Sequence, residues 1–282
     1  MRSIALVAVV LVGVFLSPPG AQALGCPPLP PRVHRALEVP RDPRGAGGEI
    51  GTGGEGRVLG GLTPHHDLAG ELMVRFYEEL RRWALRPRRI LLIAPDHHRA
   101  GRGAVTFCGA PWETDRGRVP ADEEGVAMLE KHGVARRDDA LFPREHGITV
   151  HLPLLATFFP GVPVLPLVVR SSVSDLELLA LRKVLSPLMD SGLVILSMDL
   201  SHGKSSAQAL EEDRRTLSVL SELRWKELRG LDLDCPRGGA LFLALLEERG
   251  ARRGVVRDHA TAASFGEPPE VPGTSYATVL FF

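Results

Sequence analysis

Histidines and carboxylates gather at the ends of apolar segments in this chain of 282 residues. The stretch "RILLIAPDHHRAG", Arg89 to Gly101, passes from five apolar residues into a proline, an acid and two adjacent histidines. Two other apolar stretches end in a similar way, at "LTPHHD" and at "ILSMDLSH". Imidazole binds transition metals at neutral pH and is also the usual proton shuttle of enzymes. The pattern therefore indicates a metal centre or an acid–base site.

Seven of the 10 histidines fall in four short stretches, which also carry acids. The candidate residues are His65, His66 and Asp67, then Asp96, His97 and His98, then Glu145, His146 and His151, and finally Asp199 and His202. Ligands of open α/β sheets bind beyond the carboxyl ends of the strands, so these side chains are expected to converge there. For any single pair, the alternative is that the histidines only hydrogen-bond their own loop or face solvent.

Several other functions are disfavoured by the sequence. It has no H-E-x-x-H, no G-x-S-x-G elbow and no Walker loop. Its "GTGGEG" precedes the first predicted strand, whereas a dinucleotide fingerprint must follow one. Lys+Arg and Asp+Glu both number 34, and there are two tyrosines and three tryptophans. The composition gives no reason to expect nucleic-acid binding or attraction to an anionic membrane.

Apolar strand candidates alternate with amphipathic helix candidates from Val58 onward. Strands are predicted at "RVLGGLTP", "RRILLIAP", "AVTFCG", "VPVLPLVV", "GLVILSMD", "GVVRDHATA" and "SYATVLFF". Helices are predicted between most of them, one of them capped by Ser174. Near-continuous apolar strands are typical of parallel sheets that are covered on both sides. We therefore predict one α/β domain over residues 58–282, with three layers and a mainly parallel central sheet that carries helices on both faces.

The N-terminal region has a different composition. Residues 1–25 combine Arg2, an apolar run from Ile4 to Leu16 and "SPPGAQA", which is the layout of a secretory signal and too short for a membrane span. Cleavage after Ala23 would give a secreted or periplasmic protein. The alternative is a lipoprotein signal at "ALGC", which would leave a lipid anchor on Cys26. Residues 26–57 are rich in Pro and Gly and are predicted to be a linker or irregular lead-in.

These stretches, in this order, resemble the MEMO family, also called AmmeMemoRadiSam system protein B. The resemblance spans about Val58 to Phe282 and is carried by "TPHHDLAG", "APDHH", "EHGITVHLP", "SMDLSH", "DCPRGGALFLALL" and "TSYATVLFF". It implies a fold similar to that of the class III extradiol dioxygenases, with one mononuclear metal site. It also implies the metal ligands His65, His97 and Cys235, with His146, Asp199, Glu145 and His202 as acid–base or orienting groups in the same pocket.

Some positions depart from the family pattern. His66 and Asp67 stand where Ala-Gly is usual, Gly147 and Thr149 replace Ser and Glu, and Pro236 replaces the Gly after the cysteine. The expected ligand set is kept, whereas the surroundings of the pocket differ. The resemblance implies that the chain functions with the other AmmeMemoRadiSam system proteins, whereas these departures leave its substrate open.

Two functions remain open from the sequence. The first is a non-haem oxidoreductase that uses Fe(II) or Cu on a small-molecule substrate, with Zn and metal-assisted hydrolysis less favoured. The second is a non-catalytic protein that binds a ligand or peptide on the same fold. Cys235 has two competing roles, as a metal-bound thiolate or as the disulfide partner of Cys108.

Overall fold

Strands and helices follow one another much as the apolar spacing predicts. The computed structural model describes residues 31–38, 57–84 and 86–282. Its strands are β1 Gly60–Thr63, β2 Arg89–Pro95, β3 Val105–Phe107, β4 Trp112–Thr114, β5 Gly117–Val119, β6 Arg136–Arg137, β7 Val164–Val169, β8 Gly192–Ser197, β9 His202–Lys204, β10 Gly254–Thr261 and β11 Gly273–Phe281. Its α-helices are α1 Pro31–Glu38, α2 Gly70–Trp83, α3 Glu123–His132, α4 His146–Thr149, α5 Leu152–Phe158, α6 Asp175–Leu185, α7 Ser206–Ser221 and α8 Pro236–Glu248.

The predicted signal sequence at residues 1–25 and Cys26 lie outside the described residues. Inside the predicted lead-in, helix α1 is formed, so this part is not irregular. Its Val33 is fully buried, and a Cβ on Gly70 would come within 2.8 Å of the Val33 backbone nitrogen. Close packing against the start of α2 thus gives this short segment the tertiary support that an isolated helix of its length lacks.

One large sheet organises the fold. Its strand order is β10-β11-β1-β8-β2-β7-β3-β6, and β9 pairs with β11. The four central strands β1, β8, β2 and β7 are parallel. Strands β10 and β11 add an antiparallel edge next to β1, and β3 is antiparallel to β7. The predicted α/β fold with a mainly parallel central sheet is confirmed.

Two apolar cores lie against the two faces of the sheet. Side chains of a strand alternate between faces, and accordingly Leu91 and Ile93 belong to one core whereas Ile90 and Leu92 belong to the other. The first core contains the buried residues of α3, α6 and α8 together with Val219 and Leu220 of α7. The second contains most of those of α2 and α5, whereas Leu72 of α2 belongs to a smaller third cluster. Helices therefore cover both faces, which makes three layers.

The carboxyl ends of β1, β2 and β8 carry the polar stretches singled out in the sequence. Thr63 at the end of β1 is paired in register with Ser197 at the end of β8, and Ile93 of β2 is paired with Leu196. Because these strands are parallel neighbours, the residues that follow them emerge at one edge of the sheet.

In the described part of the chain, no helix is long and apolar enough to cross a membrane.

Helix α6 begins at the predicted cap. The Ser174 hydroxyl accepts the backbone N–H of Glu177, and the Glu177 carboxylate accepts the backbone N–H of Ser174. Replacing Ser174 with Ala should lower the free energy of unfolding by about 1 kcal/mol, because the first turn loses its acceptor. Urea denaturation measures the change. The exposed Ser172 serves as the control, and Ser172→Ala should stay within about 0.5 kcal/mol of the wild type.

Candidate metal centre

His65 is buried beneath the end of β1 and held from two sides. Pro64 ends the strand, and the His65 backbone N–H donates to Oδ1 of Asp199 at 3.1 Å. The ring Nδ1 lies 2.9 Å from the hydroxyl oxygen of Ser197, the last residue of the neighbouring strand β8. With Nδ1 engaged by the hydroxyl, Nε2 is the ring nitrogen left for a ligand.

His97 is held by Glu145 in a comparable way. The buried Glu145 carboxylate accepts the His97 backbone N–H at 3.1 Å and lies 2.5 Å from the ring Nδ1. It also accepts the backbone N–H of Gly147 at the start of α4. A carboxylate on Nδ1 fixes the orientation of a ligand histidine and makes its other nitrogen a better donor to a metal. Glu145 therefore orients His97 in this structure, and it lies farther from His146, 3.8 Å from the ring Nδ1.

Three imidazoles form one cluster. The ring centroids of His65 and His97 are 4.8 Å apart, and His146 lies 4.0 Å from His97 and 5.2 Å from His65. One ring nitrogen from each residue lies within 4.8 Å of those of the other two. The loops after β1 and β2 and the start of α4 thus bring together three histidines that the sequence places far apart.

Two carboxylates complete the cluster on the side of His65. Oδ2 of Asp234 lies 3.0 Å from His65 Nε2 and 3.9 Å from His97 Nε2. Oδ2 of Asp199 lies 3.7 Å from His65 Nε2. His65, Asp199 and Asp234 form a second group with ligand atoms within 4.8 Å of one another. The Asp234 carboxylate therefore lies close to the Nε2 atoms of both His65 and His97, which are the ring nitrogens available to a metal ion.

The electrostatics of the cluster favour a positive charge at His65. Burial by itself lowers the pKa of His65, but the carboxylates of Asp199 and Asp234 outweigh it and raise the pKa to about 9. Burial and the neighbouring His97 and His65 lower the pKa of His146 to about 4. Burial opposes ionisation of Glu145, yet its hydrogen bond to His97 brings its pKa below the ordinary value. Burial raises the pKa of Asp199, against the attraction of His65.

Cys235 lies next to Asp234 in the chain but is in neither group of ligand atoms. It is buried at the N-terminus of α8, where a Cβ on Gly238 would come within 2.5 Å of its sulfur. Burial, and then the negative charge of Asp234, raise the pKa of its thiol well above the ordinary value. The assignment of Cys235 as a metal ligand stays a prediction.

Cys235 and Cys108 are both free and buried. Cys108 belongs to the core on one face of the sheet, and Cys235 belongs to the core on the other. The alternative of a disulfide between them is therefore not realised in this structure.

The remaining predicted residues have different surroundings. Asp199 lies in the cluster, as described above. His202 is exposed on the short strand β9, its backbone N–H donates to Asp232, and its ring is in neither group. His151 is fully buried below the cluster, where its Nδ1 lies 3.2 Å from the hydroxyl of Tyr77.

Sequence reasoning missed Asp234. It lies not at the end of a strand but in the segment that leads into α8, so the pattern of polar strand ends could not select it. One signal was present in the sequence, because Asp234 directly precedes the cysteine that the resemblance singled out.

Comparison with known proteins matches residues 48–265 to the family model described as Memo-like protein. A MEMO1 family protein of Caldivirga maquilingensis is 26% identical over 238 residues, which cover 80% of this chain and 83% of that protein. A MEMO1 family protein of Thermotoga neapolitana is 28% identical over 198 residues, which cover 67% and 70%. A crystal structure of an uncharacterized protein from Escherichia coli K12 covers 77% of this chain and 98% of its own, with 16% identity and a TM-score of 0.46.

Asp96 holds the loop that carries His97. Its buried carboxylate accepts the backbone N–H groups of Ala100 and Gly101 and lies 3.0 Å from Nε of Arg170. Asp96→Asn should lower the free energy of unfolding by about 2 kcal/mol, because charge-assisted hydrogen bonds are weakened inside the protein. Thermal and urea denaturation measure this loss, with Glu270→Gln as an exposed control. A change below about 0.5 kcal/mol would contradict a clamping role for this carboxylate.

His151 makes stability depend on pH. Burial holds its pKa well below the ordinary value of 6.5, so at mildly acidic pH the unfolded chain binds a proton that the folded chain does not. The free energy of unfolding should therefore fall below pH 6.5, by up to about 1.4 kcal/mol per pH unit. Tyr77→Phe with His151→Leu removes both hydrogen-bond partners together. Urea unfolding between pH 7.5 and pH 5 should show a shallower acid slope for this double variant, and equal slopes would contradict the assignment.

Proposed function

This chain belongs to the Memo-like protein family, and on that basis we propose that it is a metal-dependent oxidoreductase whose single Fe or Cu ion is bound by His65, His97 and Asp234. The observation that supports this most directly is the position of the Asp234 carboxylate. Its Oδ2 lies 3.0 Å and 3.9 Å from the Nε2 atoms of the two histidines. Two imidazoles and one carboxylate are the ligand set typical of non-haem Fe(II) oxygenases.

The donor set fits a metal in two further respects. Oδ1 of Asp234 is buried and has no hydrogen-bond partner among the described residues, so this carboxylate has unused acceptor capacity in a region where such capacity is costly. The two ligand histidines have their Nδ1 atoms engaged by Ser197 and Glu145. Such outer contacts are typical of metal-binding histidines, whose other nitrogen binds the ion.

The charges favour a cation at the same place. Carboxylates of Glu145, Asp199 and Asp234 surround the cluster, and they outweigh burial to raise the pKa of His65. Buried carboxylates are stable only when they are paired or bind a metal. A divalent ion therefore satisfies the charge of this region better than a neutral ligand would.

An Fe or Cu ion, when bound, supplies electron exchange with a substrate and dioxygen. The protein supplies the proton handling. His146 is half-exposed and, with its pKa lowered to about 4, is neutral at pH 7. Its ring lies beside that of His97, so it is placed to accept a proton from a substrate bound at the cluster. Asp199 accepts the His65 backbone N–H, and its charge raises the pKa of His65.

Metal titration of the full chain tests the proposal. Anaerobic Fe(II) and Cu should bind once per chain, as measured by elemental analysis and calorimetry. Asp234→Asn should weaken binding at least about 100-fold, since even changes outside the ligand shell cost about 10–100-fold. Asp190→Asn, at an exposed carboxylate, is the control and should leave the affinity unchanged within about twofold.

Cys235→Ser distinguishes the two candidate third ligands. If Asp234 is the ligand, this variant should retain metal within about threefold. If Asp234→Asn retains metal binding and Cys235→Ser loses it, the third ligand is the Cys235 thiolate and not Asp234. Absence of Fe and Cu binding in the wild type would overturn the proposal, and a colourless protein selective for Zn would favour metal-assisted hydrolysis.

Catalysis is tested separately from binding. Oxygen consumption by the metal-loaded protein with a reductant should fall at least tenfold in His146→Gln, because a positioned acid or base contributes about 10²–10⁴-fold. Stoichiometric metal with no oxygen consumption across a panel of reductants and catechols would favour the ligand- or peptide-binding alternative.

A further inference from the structure

A cavity that no residue of the histidine cluster lines lies between α6, α8 and the 3₁₀ helix Trp225–Gly230. Its volume is about 460 Å³, within the range of about 300–1,000 Å³ that is usual for small-molecule sites. Its apolar wall is formed by Leu178, Leu179, Trp225, Leu241 and Ala244. Leu179 is 39% exposed, so the apolar surface continues to the mouth of the cavity.

The polar wall of this cavity is strongly positive. Four cationic side chains, Arg182, Lys226, Arg229 and Arg237, line it together with one carboxylate, that of Asp175. The hydrogen bond and charge of Arg237, assisted by Arg229, hold the pKa of Asp175 below its ordinary value. Arg182 is paired with Glu248, and Asp175 is shared between Arg237 and Arg229. Two carboxylates do not neutralise four cations, and the remaining positive charge would attract an anion.

Arg237 is the central group of the polar wall. Its side chain is only 7% exposed, and its Nη2 lies 2.6 Å from Oδ1 of Asp175. Its Nε is buried and has no acceptor among the residues that the structure describes. A guanidinium offers five N–H donors in a fixed plane and binds carboxylates in a bidentate manner. A buried donor without a partner costs free energy. A ligand oxygen that reached the guanidinium from the cavity that Arg237 lines would offset this cost.

Trp225 joins the apolar and polar walls. Its indole N–H donates to Glu247, which fixes the ring. The Nζ of Lys226 lies 5.2 Å from the ring centroid, and the guanidinium carbon of Arg182 lies 6.0 Å from it. The aromatic surface thus lies directly beside the cations, which suits a ligand with an apolar body and a charged head.

We propose that this cavity binds a small amphiphilic organic anion, with its carboxylate or phosphate on Arg237 and Arg229 and its apolar body against Trp225 and Leu241. The buried unpartnered donor and the excess of cations select the anionic head, and the lining leucines and tryptophan select the apolar body. Binding here requires no metal at the histidine cluster, so it can be measured on protein treated with a chelator.

Octanoate and 1-octanol are matched probes, because they share a chain length and differ in charge. Calorimetry on the full chain should give one octanoate site per chain with a Kd below about 1 mM. Octanol should bind at least tenfold more weakly. Octanoate should also change the fluorescence of Trp225, and Trp225→Phe should remove that change.

Two variants test the two walls of the cavity independently. Arg237→Gln should weaken octanoate binding at least tenfold, because it removes the charge-assisted hydrogen bonds to the head. Should this buried substitution impair folding, Ala240→Phe fills the cavity from a partly exposed position and should block the apolar body. Lys183→Gln, on the exposed side of α6, is the control and should keep the Kd within about twofold.

Three results would overturn the proposal. They are the absence of saturable octanoate binding, equal affinity for octanol, and folded Ala240→Phe protein that binds octanoate like the wild type. Each of these can occur with normal Fe or Cu binding at the histidine cluster, and loss of metal binding can occur with normal octanoate binding. The proposal for this cavity and the proposal for the metal site can therefore be contradicted independently of each other.

Discussion

The parallel register of β1, β8 and β2 is the constraint on which the histidine cluster depends. Thr63 is level with Ser197, and Ile93 is level with Leu196. Neighbouring strands lie about 4.8 Å apart, so the residues that follow them reach the same edge of the sheet at nearly the same height. His65 can then contact Ser197 and Asp199, which follow a strand far away in the sequence. A shift of one residue in either pair would exchange the faces of the side chains and separate these contacts.

Buried negative charge is the second determinant of the site. Glu145 and Asp199 are almost fully buried, and Asp234 is largely so. The backbone N–H groups of His65, His97 and Gly147 satisfy part of their acceptor capacity. The charges of Asp199 and Asp234 outweigh burial and raise the pKa of His65, whereas burial and the neighbouring imidazoles lower the pKa of His146. The same cluster therefore offers one location that favours a cation and, a few ångströms away, one that favours a neutral base.

The sequence predicted the sheet and the three histidines because both follow from local pattern. Continuous apolar strands such as Ile90–Ala94 can only be buried on both faces, and parallel strands place their polar ends together. Neither Asp234 nor the side chains that contact the histidine rings could be predicted from the sequence. These contacts depend on the tertiary position of distant segments, such as the one that leads into α8. The same limit applies to Glu145, which the sequence associated with His146 and the structure places on His97. His202 is close to Asp199 along the chain but is in neither group of candidate ligand atoms, and its role as an acid–base group stays a prediction.

The central sheet also separates the two thiols of the domain. Cys108 is packed on one side of it and Cys235 on the other, and neither is bonded to sulfur. Because the sheet lies between them, the two sulfur atoms cannot meet in the folded domain. Oxidants would therefore act on each thiol individually and only after local opening of its own core. Burial, rather than a covalent bridge, protects the thiol that lies next to the histidine cluster.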